Sequence, residues 1–279
     1  MRMKTGLVLE GGAMRGIYTA GVLDAFMDQQ VTFDGVMGVS AGAIHGASYV
    51  SGQRGRSIRY YLKHMKNPRF MSFWSLLTTG NLVGTQFCYH DLPEKLDVYN
   101  YEAFAQSPVQ FYVVCTNVKT GKAEYILVED MHEIAYMQAS ASMPLVSKIV
   151  HVGGKRLLDG GVADSIPYRR FYKMGYQRQV VVLTRPKGYR KKPSSMRLAR
   201  RMYRKYPEFI KAMRRRYIRY NRTVEALEAL AERGEILLIR PSRDPNLGRM
   251  EKNPKKVQAV YELGYQDAMA KMDQIKAFL

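Results

Sequence analysis

Gly38-Val39-Ser40-Ala41-Gly42 is the stretch on which the reading of this chain turns. It has the form G-x-S-x-G, follows a short strand-like run at residues 33–37, and precedes Ala43-Ile44-His45-Gly46-Ala47, small residues suited to opening a closely packed helix. Strand, cramped turn and helix start are the surroundings of a nucleophile elbow. The turn forces the serine into a strained backbone state that projects its hydroxyl, and bulky neighbours would block it. In a chain with 23 glycines the pentapeptide alone is only suggestive, so its weight comes from the residues on either side. Ser40 is the leading nucleophile candidate.

Outward from the elbow, apolar β-rich runs recur at residues 6–9, 109–115, 124–128, 179–183 and 235–239. Residues 17–27 carry apolar side chains at Ile17, Ala20, Leu23, Ala25 and Phe26, which predicts an amphipathic helix with Asp24 and Asp28 on its solvent face. Strand, helix, strand, elbow, helix is an α/β layout with a mainly parallel sheet. Val118-Lys119-Thr120-Gly121-Lys122 has turn chemistry between two strand-like runs and predicts a hairpin. Residues 185–195 read as a loop from their Pro, Gly and Ser content, and a helix should follow. Pro207 and Glu208 suit the first turn of a further helix. Its stripe of Phe209, Met213, Tyr217, Tyr220, Val224, Leu227 and Ala231 reads as packing against the sheet, with Gly234 at the C-terminal cap. Residues 241–254 read as a second loop and 255–278 as a last helix. The expected organisation is a catalytic core over residues 1–184, with a basic helical part over 185–279 completing the same domain.

The 279 residues, 46% of them hydrophobic, can bury a sizeable core. No window holds the 18 or so uninterrupted apolar residues of a membrane span, and Met1-Arg2-Met3-Lys4-Thr5 leads into only a short apolar run. Neither a signal peptide nor a transmembrane helix is expected, and the expected location is cytoplasmic, with peripheral contact at the inner membrane face. Of the two cysteines, Cys88 and Cys115, the second lies in an apolar run and reads as a buried small hydrophobe; no disulfide framework is implied.

Charge is distributed unevenly. Between Arg185 and Arg222, sixteen Lys or Arg stand against the single acid Glu208, which puts +15 of the formal +20 into one segment. Such an excess implies an anionic partner surface, a phospholipid membrane or a nucleic acid, unless it is simply a solvated helix face. Tyr203, Tyr206, Tyr217 and Tyr220 suit an interface as well as a core. No recognised nucleic-acid module is present, so a nucleic-acid-binding protein is the weaker rival.

Three groups of residues carry chemistry. Gly11-Gly12-Ala13-Met14-Arg15-Gly16 lies between the first strand and the first helix, where loop N–H groups converge on negative charge. Its G-G-x-x-x-G spacing departs from the dinucleotide fingerprint, and with Ser40 nearby an oxyanion hole is the preferred reading. A serine needs a base, yet of His45, His64, His90, His132 and His151 none occurs late in the chain, where a hydrolase triad places it. His45, five residues beyond Ser40 on the predicted helix, should point away from the hydroxyl. The best acid is Asp159, before Gly160 and Gly161, with its carboxylate free to reach a hydroxyl from a tight turn; a plain hairpin acid is the alternative.

Glu10-Gly11-Gly12-Ala13-Met14-Arg15-Gly16, then Gly38-Val39-Ser40-Ala41-Gly42, then Asp159-Gly160-Gly161, in that order and at these separations, resembles the patatin-like phospholipase family. Thr116-Asn117 with Thr120-Gly121, and Ala139-Ser140-Ala141-Ser142-Met143-Pro144, are similar to the family as well, and the ending from Leu238 to Asp267 is similar to bacterial members. The resemblance implies a three-layer α/β/α sandwich and a Ser-Asp dyad, which accounts for the missing late histidine. It further implies Ser40 as nucleophile, Asp159 as base, Gly11 to Gly16 as oxyanion hole, a lipid ester substrate, and no metal or organic cofactor. Ala13 stands where the usual pattern has a third glycine, and Arg15 holds its basic position, able to steady the loop or a substrate phosphate. A small-molecule esterase or thioesterase with the same dyad is the alternative. Residues 65–89, with Trp74, are read as a lid or as a surface subdomain.

Overall fold

Apolar side chains on both faces of the strand-like runs build one sheet covered on two sides. The computed structural model describes residues 3–248 and 250–279. Met1 and Arg2, which belong to the N-terminal stretch where no signal peptide is expected, and Arg249, in the loop expected at 241–254, lie outside the described residues. The elements are β1 (Lys4–Leu9), α1 (Ile17–Asp28), β2 (Gly35–Val39), α2 (Ala41–Val50), α3 (Arg56–His64), α4 (Phe73–Thr79), a π-helical segment (Phe87–Leu96), α5 (Tyr101–Gln106), β3 (Gln110–Asn117), β4 (Ala123–Leu127), α6 (Ile134–Ala141), β5 (Val150–Val152), β6 (Lys155–Asp159), α7 (Tyr168–Lys173), β7 (Tyr176–Val182), α8 (Arg197–Met202), α9 (Pro207–Glu232), β8 (Ile236–Ile239), α10 (Pro254–Met269) and α11 (Met272–Phe278). Among the described residues no helix is long and apolar enough to cross a membrane.

The sheet runs β5-β6-β3-β2-β1-β7-β8, with β4 paired to β3. From β3 to β8 the pairs are parallel; β4, β5 and β6 join antiparallel. Alternation sends Leu7, Leu9, Val36, Val113, Val180 and Val182 to the face covered by α1, α2 and α10. Val8, Met37, Val39, Val114, Val181 and Leu183 go to the face covered by α7 and α9, where Phe171, Tyr220, Val224 and Leu227 close the core. The apolar stripe of the long basic helix therefore packs on the sheet, as its spacing predicts. The expected hairpin is present as β3 and β4, its Gly121 at φ +65° and packed on the Glu208 backbone.

Two expectations are corrected. Asp24 does not face solvent: α10 crosses α1 so closely that a Cβ on Gly21 would lie 2.0 Å from the Tyr261 carbonyl, and one on Gly264 the same distance from the Tyr18 carbonyl. Asp24 is buried in that crossing, accepting from the Tyr261 hydroxyl at 2.8 Å and the Gly55 N–H at 3.1 Å. The last helix is two, because the chain breaks at Ala270-Lys271, where Lys271 donates to the Leu238 carbonyl at 3.1 Å and ties the break to β8.

Register places the ends of two strands side by side. β2 and β4 both pair with residues 112–114 of β3 and so occupy opposite edges; β4 and β6 both pair with Cys115 and Thr116 and do likewise. β6 therefore takes over the edge of β3 that β2 leaves. The last rung of β2 is Val39 opposite Val114, and the last rung of β6 is Asp159 opposite Cys115. Ser40 and Asp159 arrive at adjacent rungs from opposite directions.

Candidate active site

Ser40 leaves β2 with φ +54° and ψ −122°, a left-handed state that a side chain adopts only at a cost of about 1–3 kcal/mol. Its neighbours hold it there. The Ser40 N–H donates to Ser140 Oγ at 2.9 Å, Ser140 donates to the Val114 carbonyl at 2.7 Å, and the Ser40 carbonyl accepts from Ala43 and Ile44 at 3.0 and 3.1 Å. Sterics leave no choice at the flanking positions: a Cβ on Gly38 would lie 2.5 Å from Ala43 Cα, and one on Gly42 2.5 Å from the Leu9 carbonyl oxygen.

Asp159, at the end of β6, is buried beside Ser40, whose hydroxyl favours the ionised carboxyl, and accepts at 2.7 Å from the Gly161 N–H. Its backbone is fixed by the Thr116 hydroxyl at 2.8 Å and by its own N–H on the Ser142 carbonyl at 2.9 Å. The chain then enters a 3-10 turn over Gly160–Val162, not a hairpin turn, and Gly160 has no room for a side chain, since its Cβ would meet the Val114 carbonyl at 2.1 Å. Burial raises the Asp159 carboxyl above the usual carboxylate range. The charge of Arg216, the Ser40 hydroxyl, the Gly161 N–H and the charge of Lys191 oppose that rise.

The glycine loop lies against the elbow. A Cβ on Gly11 would stand 2.9 Å from the Val39 carbonyl and 3.0 Å from Ser40 Cβ; one on Gly12 would meet Thr184 at 2.8 Å, and one on Gly16 would meet Ala41 at 2.6 Å. Ala13, in the place of the third glycine, has φ +48°, so the conformation persists without the residue that suits it. Ser40 also lines an apolar pocket of about 120 Å³, with Ile44, Phe70, Met71, Met137 and Met143 in its wall.

Several residues enter the site that sequence reasoning passed over. Glu10, buried, accepts from the Thr184 N–H at 2.6 Å and its hydroxyl at 3.1 Å, tying the end of β1 to that of β7, and its charge acts on the Tyr220 hydroxyl of α9. Lys191, within the segment read as a loop, turns inward, its ammonium 3.9 Å from the centre of the Tyr220 ring. Asn221 clamps its backbone with bonds of 2.8 and 3.1 Å. Burial, reinforced by Arg216, pushes the Lys191 amine down to about 7, while Glu10 and Asp159 act against that. A Cβ on Gly161 would lie 3.1 Å from an Arg216 terminal nitrogen. Composition shows only that this segment is basic; which cations turn inward is decided by α9 packing on the sheet.

His45 points to Ser57, 2.9 Å from its hydroxyl, and burial pushes its imidazole down to about 3, so it is neutral and turned from Ser40 as expected. His90 faces Glu94 and His132 faces Asp130. Among the described residues no group of three or more His, Cys, Asp or Glu is arranged to hold a metal ion.

A family model described as "Patatin-like phospholipase" matches residues 7–172, and one for a domain of unknown function, DUF6363, matches residues 206–279. Similar relatives include the Escherichia coli K12 protein YjjU, 28% identical over 187 residues, covering 66% of this chain and 52% of the relative. Lysophospholipase NTE1 of Saccharomyces cerevisiae is 27% identical over 178 residues, covering 62% of this chain and 10% of that one. This chain thus spans about half, or far less, of the length of the relatives it matches. Among solved structures, VipD from Legionella pneumophila covers 98% of this chain and 67% of its own, at a TM-score of 0.46 and 15% identity. With its model matched over more than half of the residues, the chain belongs to the patatin-like phospholipase family.

Proposed function

We propose that this protein is a lipid acyl hydrolase, of the phospholipase A or lysophospholipase kind, acting through a Ser40–Asp159 dyad. The observation that carries this is the strand register that brings Ser40 beside the buried Asp159, whose ionised form its hydroxyl favours, at the wall of an apolar pocket able to take an acyl chain. Ser40 Oγ attacks the ester carbonyl as Asp159 takes its proton, giving a tetrahedral oxyanion. Collapse expels the alcohol, which takes that proton from Asp159 and leaves the acyl group on Ser40. Water, deprotonated by Asp159, then releases the fatty acid and regenerates the serine. A carboxyl made more basic by burial suits that role.

The N–H groups of Gly11 and Gly12 donate no other hydrogen bond among the described residues and lie in the loop packed on the elbow, which fits them for the developing oxyanion. We take residues 185–279 to complete the same catalytic unit as 1–184, since β8 extends the sheet, α10 covers α1, and α9 brings Arg216 to the dyad.

Hydrolysis of lysophospholipid by the full chain, compared with Ser40→Ala and Asp159→Asn, tests the proposal. Each variant should lose on the order of a thousandfold or more in kcat while keeping its melting temperature. Either variant retaining the parent rate would remove the dyad.

A further inference from the structure

Three large apolar side chains on one short helix stand in solvent. On α4, Phe73 is 67% exposed, Trp74 52% and Leu77 87%, although the helix itself is held firmly. Ser72 caps it by accepting from the Ser75 N–H at 3.0 Å, Ser75 donates to the Asn81 carbonyl at 2.8 Å, and Met71 bridges Val83. Phe70, Met71 and Val83, on either side of α4 in the chain, line the pocket that holds Ser40. A fixed helix that exposes its apolar residues beside an apolar pocket marks a contact surface, because a stable fold would otherwise bury them.

A second helix is joined to it through segment 145–148 and supplies charge. Segment 145–148 is bonded on one side to the α4 loop, through Leu82 N–H on the Val146 carbonyl at 2.8 Å and Lys148 N–H on Asn81 at 2.8 Å. On the other side the Leu145 N–H donates to the Tyr203 hydroxyl, 2.9 Å, at the end of α8. Helix α8 buries Ala199 and Tyr203 and turns Leu198 and Met202 outward, 53% and 49% exposed. Arg197, Arg200 and Arg201 are exposed around them and form no ion pair among the described residues. Apolar residues flanked by unpaired arginines are complementary to a bilayer surface with anionic headgroups, whereas a protein partner would need a matching acidic rim.

We propose that α4 and α8 together seat the protein on an anionic lipid surface, with Phe73, Trp74 and Leu77 entering the acyl region and Arg197, Arg200 and Arg201 meeting headgroup phosphates. The choice of a lipid occupant rests on the lipid-hydrolase reading, but the seating is tested by binding alone, so the two fail separately. It narrows the membrane contact expected over 185–222 to α8 and adds a helix outside that segment.

Trp74 is the single tryptophan of the chain and reports directly. Full-length Ser40→Ala, which leaves the lipid intact, is titrated with phosphatidylcholine vesicles with and without phosphatidylglycerol, and with vesicles carrying brominated acyl chains. Trp74 emission should shift to the blue and be quenched by the bromines, more strongly on anionic vesicles and less at high salt. Leu77→Asp should weaken binding by roughly tenfold or more on both vesicles, and each of Arg200→Gln and Arg201→Gln by about fivefold on anionic vesicles only. These positions are exposed, so the melting temperature serves as the check on folding, and bromine quenching in Ser40→Ala needs no further substitution. Emission that ignores vesicles, or vesicle binding that ignores Leu77→Asp, would overturn the proposal. So would a concentration-dependent dimer that Leu77→Asp dissolves without any vesicle binding, which would make the face a contact between two copies.

Discussion

Asp159 is held from two sides by different physics. On one side, the elbow brings the Ser40 hydroxyl beside it and the 3-10 turn donates the Gly161 N–H at 2.7 Å. On the other, α9 and the loop before α8 hold cations near it, Arg216 and Lys191, which act on its charge. Hydrogen bonds decide where the carboxylate sits; the cations adjust how readily it gives up its proton. Damage to the first side should abolish geometry at every pH, whereas damage to the second should show itself as a dependence on pH.

Gly42→Ala strikes the contact side and should have the largest effect. Its methyl group would meet two backbone oxygens, those of Leu9 and Glu10, at 2.5 and 2.8 Å, so the elbow has to move. A displacement of this kind costs roughly a hundredfold in ester hydrolysis at all pH values, with a lower melting temperature. An active, stable variant would mean that the elbow is softer than its contacts imply.

Arg216→Gln strikes the field side. Without this cation the Asp159 carboxyl rises further, and because it accepts a proton only when ionised, the acidic limb of the rate profile should move to higher pH. At alkaline pH the variant should approach the parent rate. An unmoved limb would mean that the Arg216 charge is not felt at Asp159.

Lys191→Met should change stability in a pH-dependent way. The folded amine releases its proton near 7, the unfolded one near 10.5, so between these values the unfolded chain holds the extra proton and stability rises with pH. Below about 7 the folded protein carries a buried charge that the methionine variant lacks. The variant's gain in melting temperature should therefore be greatest at acidic pH and shrink above neutrality; a gain independent of pH would point to packing alone.

Ala13→Gly is the smallest change. At φ +48° glycine relieves strain, so the denaturation midpoint should rise by an amount worth about 1 kcal/mol. A loss of stability would mean that the Ala13 methyl group packs usefully in the pocket wall.

The elbow was legible because its constraints are local: Gly38 and Gly42 are excluded from having side chains by atoms within a few residues or on the adjoining strand. The pairing of Ser40 with Asp159 is set by strand register, and β5 and β6 show no clear alternation, being short and rich in exposed residues such as Lys155 and Arg156. Only the joint spacing of the motifs pointed to it. Asp24 misled for a different reason. Its helix reads as amphipathic until α10 arrives from the far end of the chain, with Gly264 reciprocating Gly21, and covers the face that carries it. Lys191 and Arg216 were counted as charge, but only the packing of α9 tells them from Arg197, Arg200 and Arg201, which stay outside.

Labelling with a fluorophosphonate, followed by peptide mass spectrometry, tests the proposed dyad most directly. A serine activated by Asp159 should take the label at Ser40 alone, and folded Asp159→Asn should be labelled at least a hundredfold more slowly. Labelling at another serine, or at Ser40 at the same rate in both proteins, would contradict the dyad.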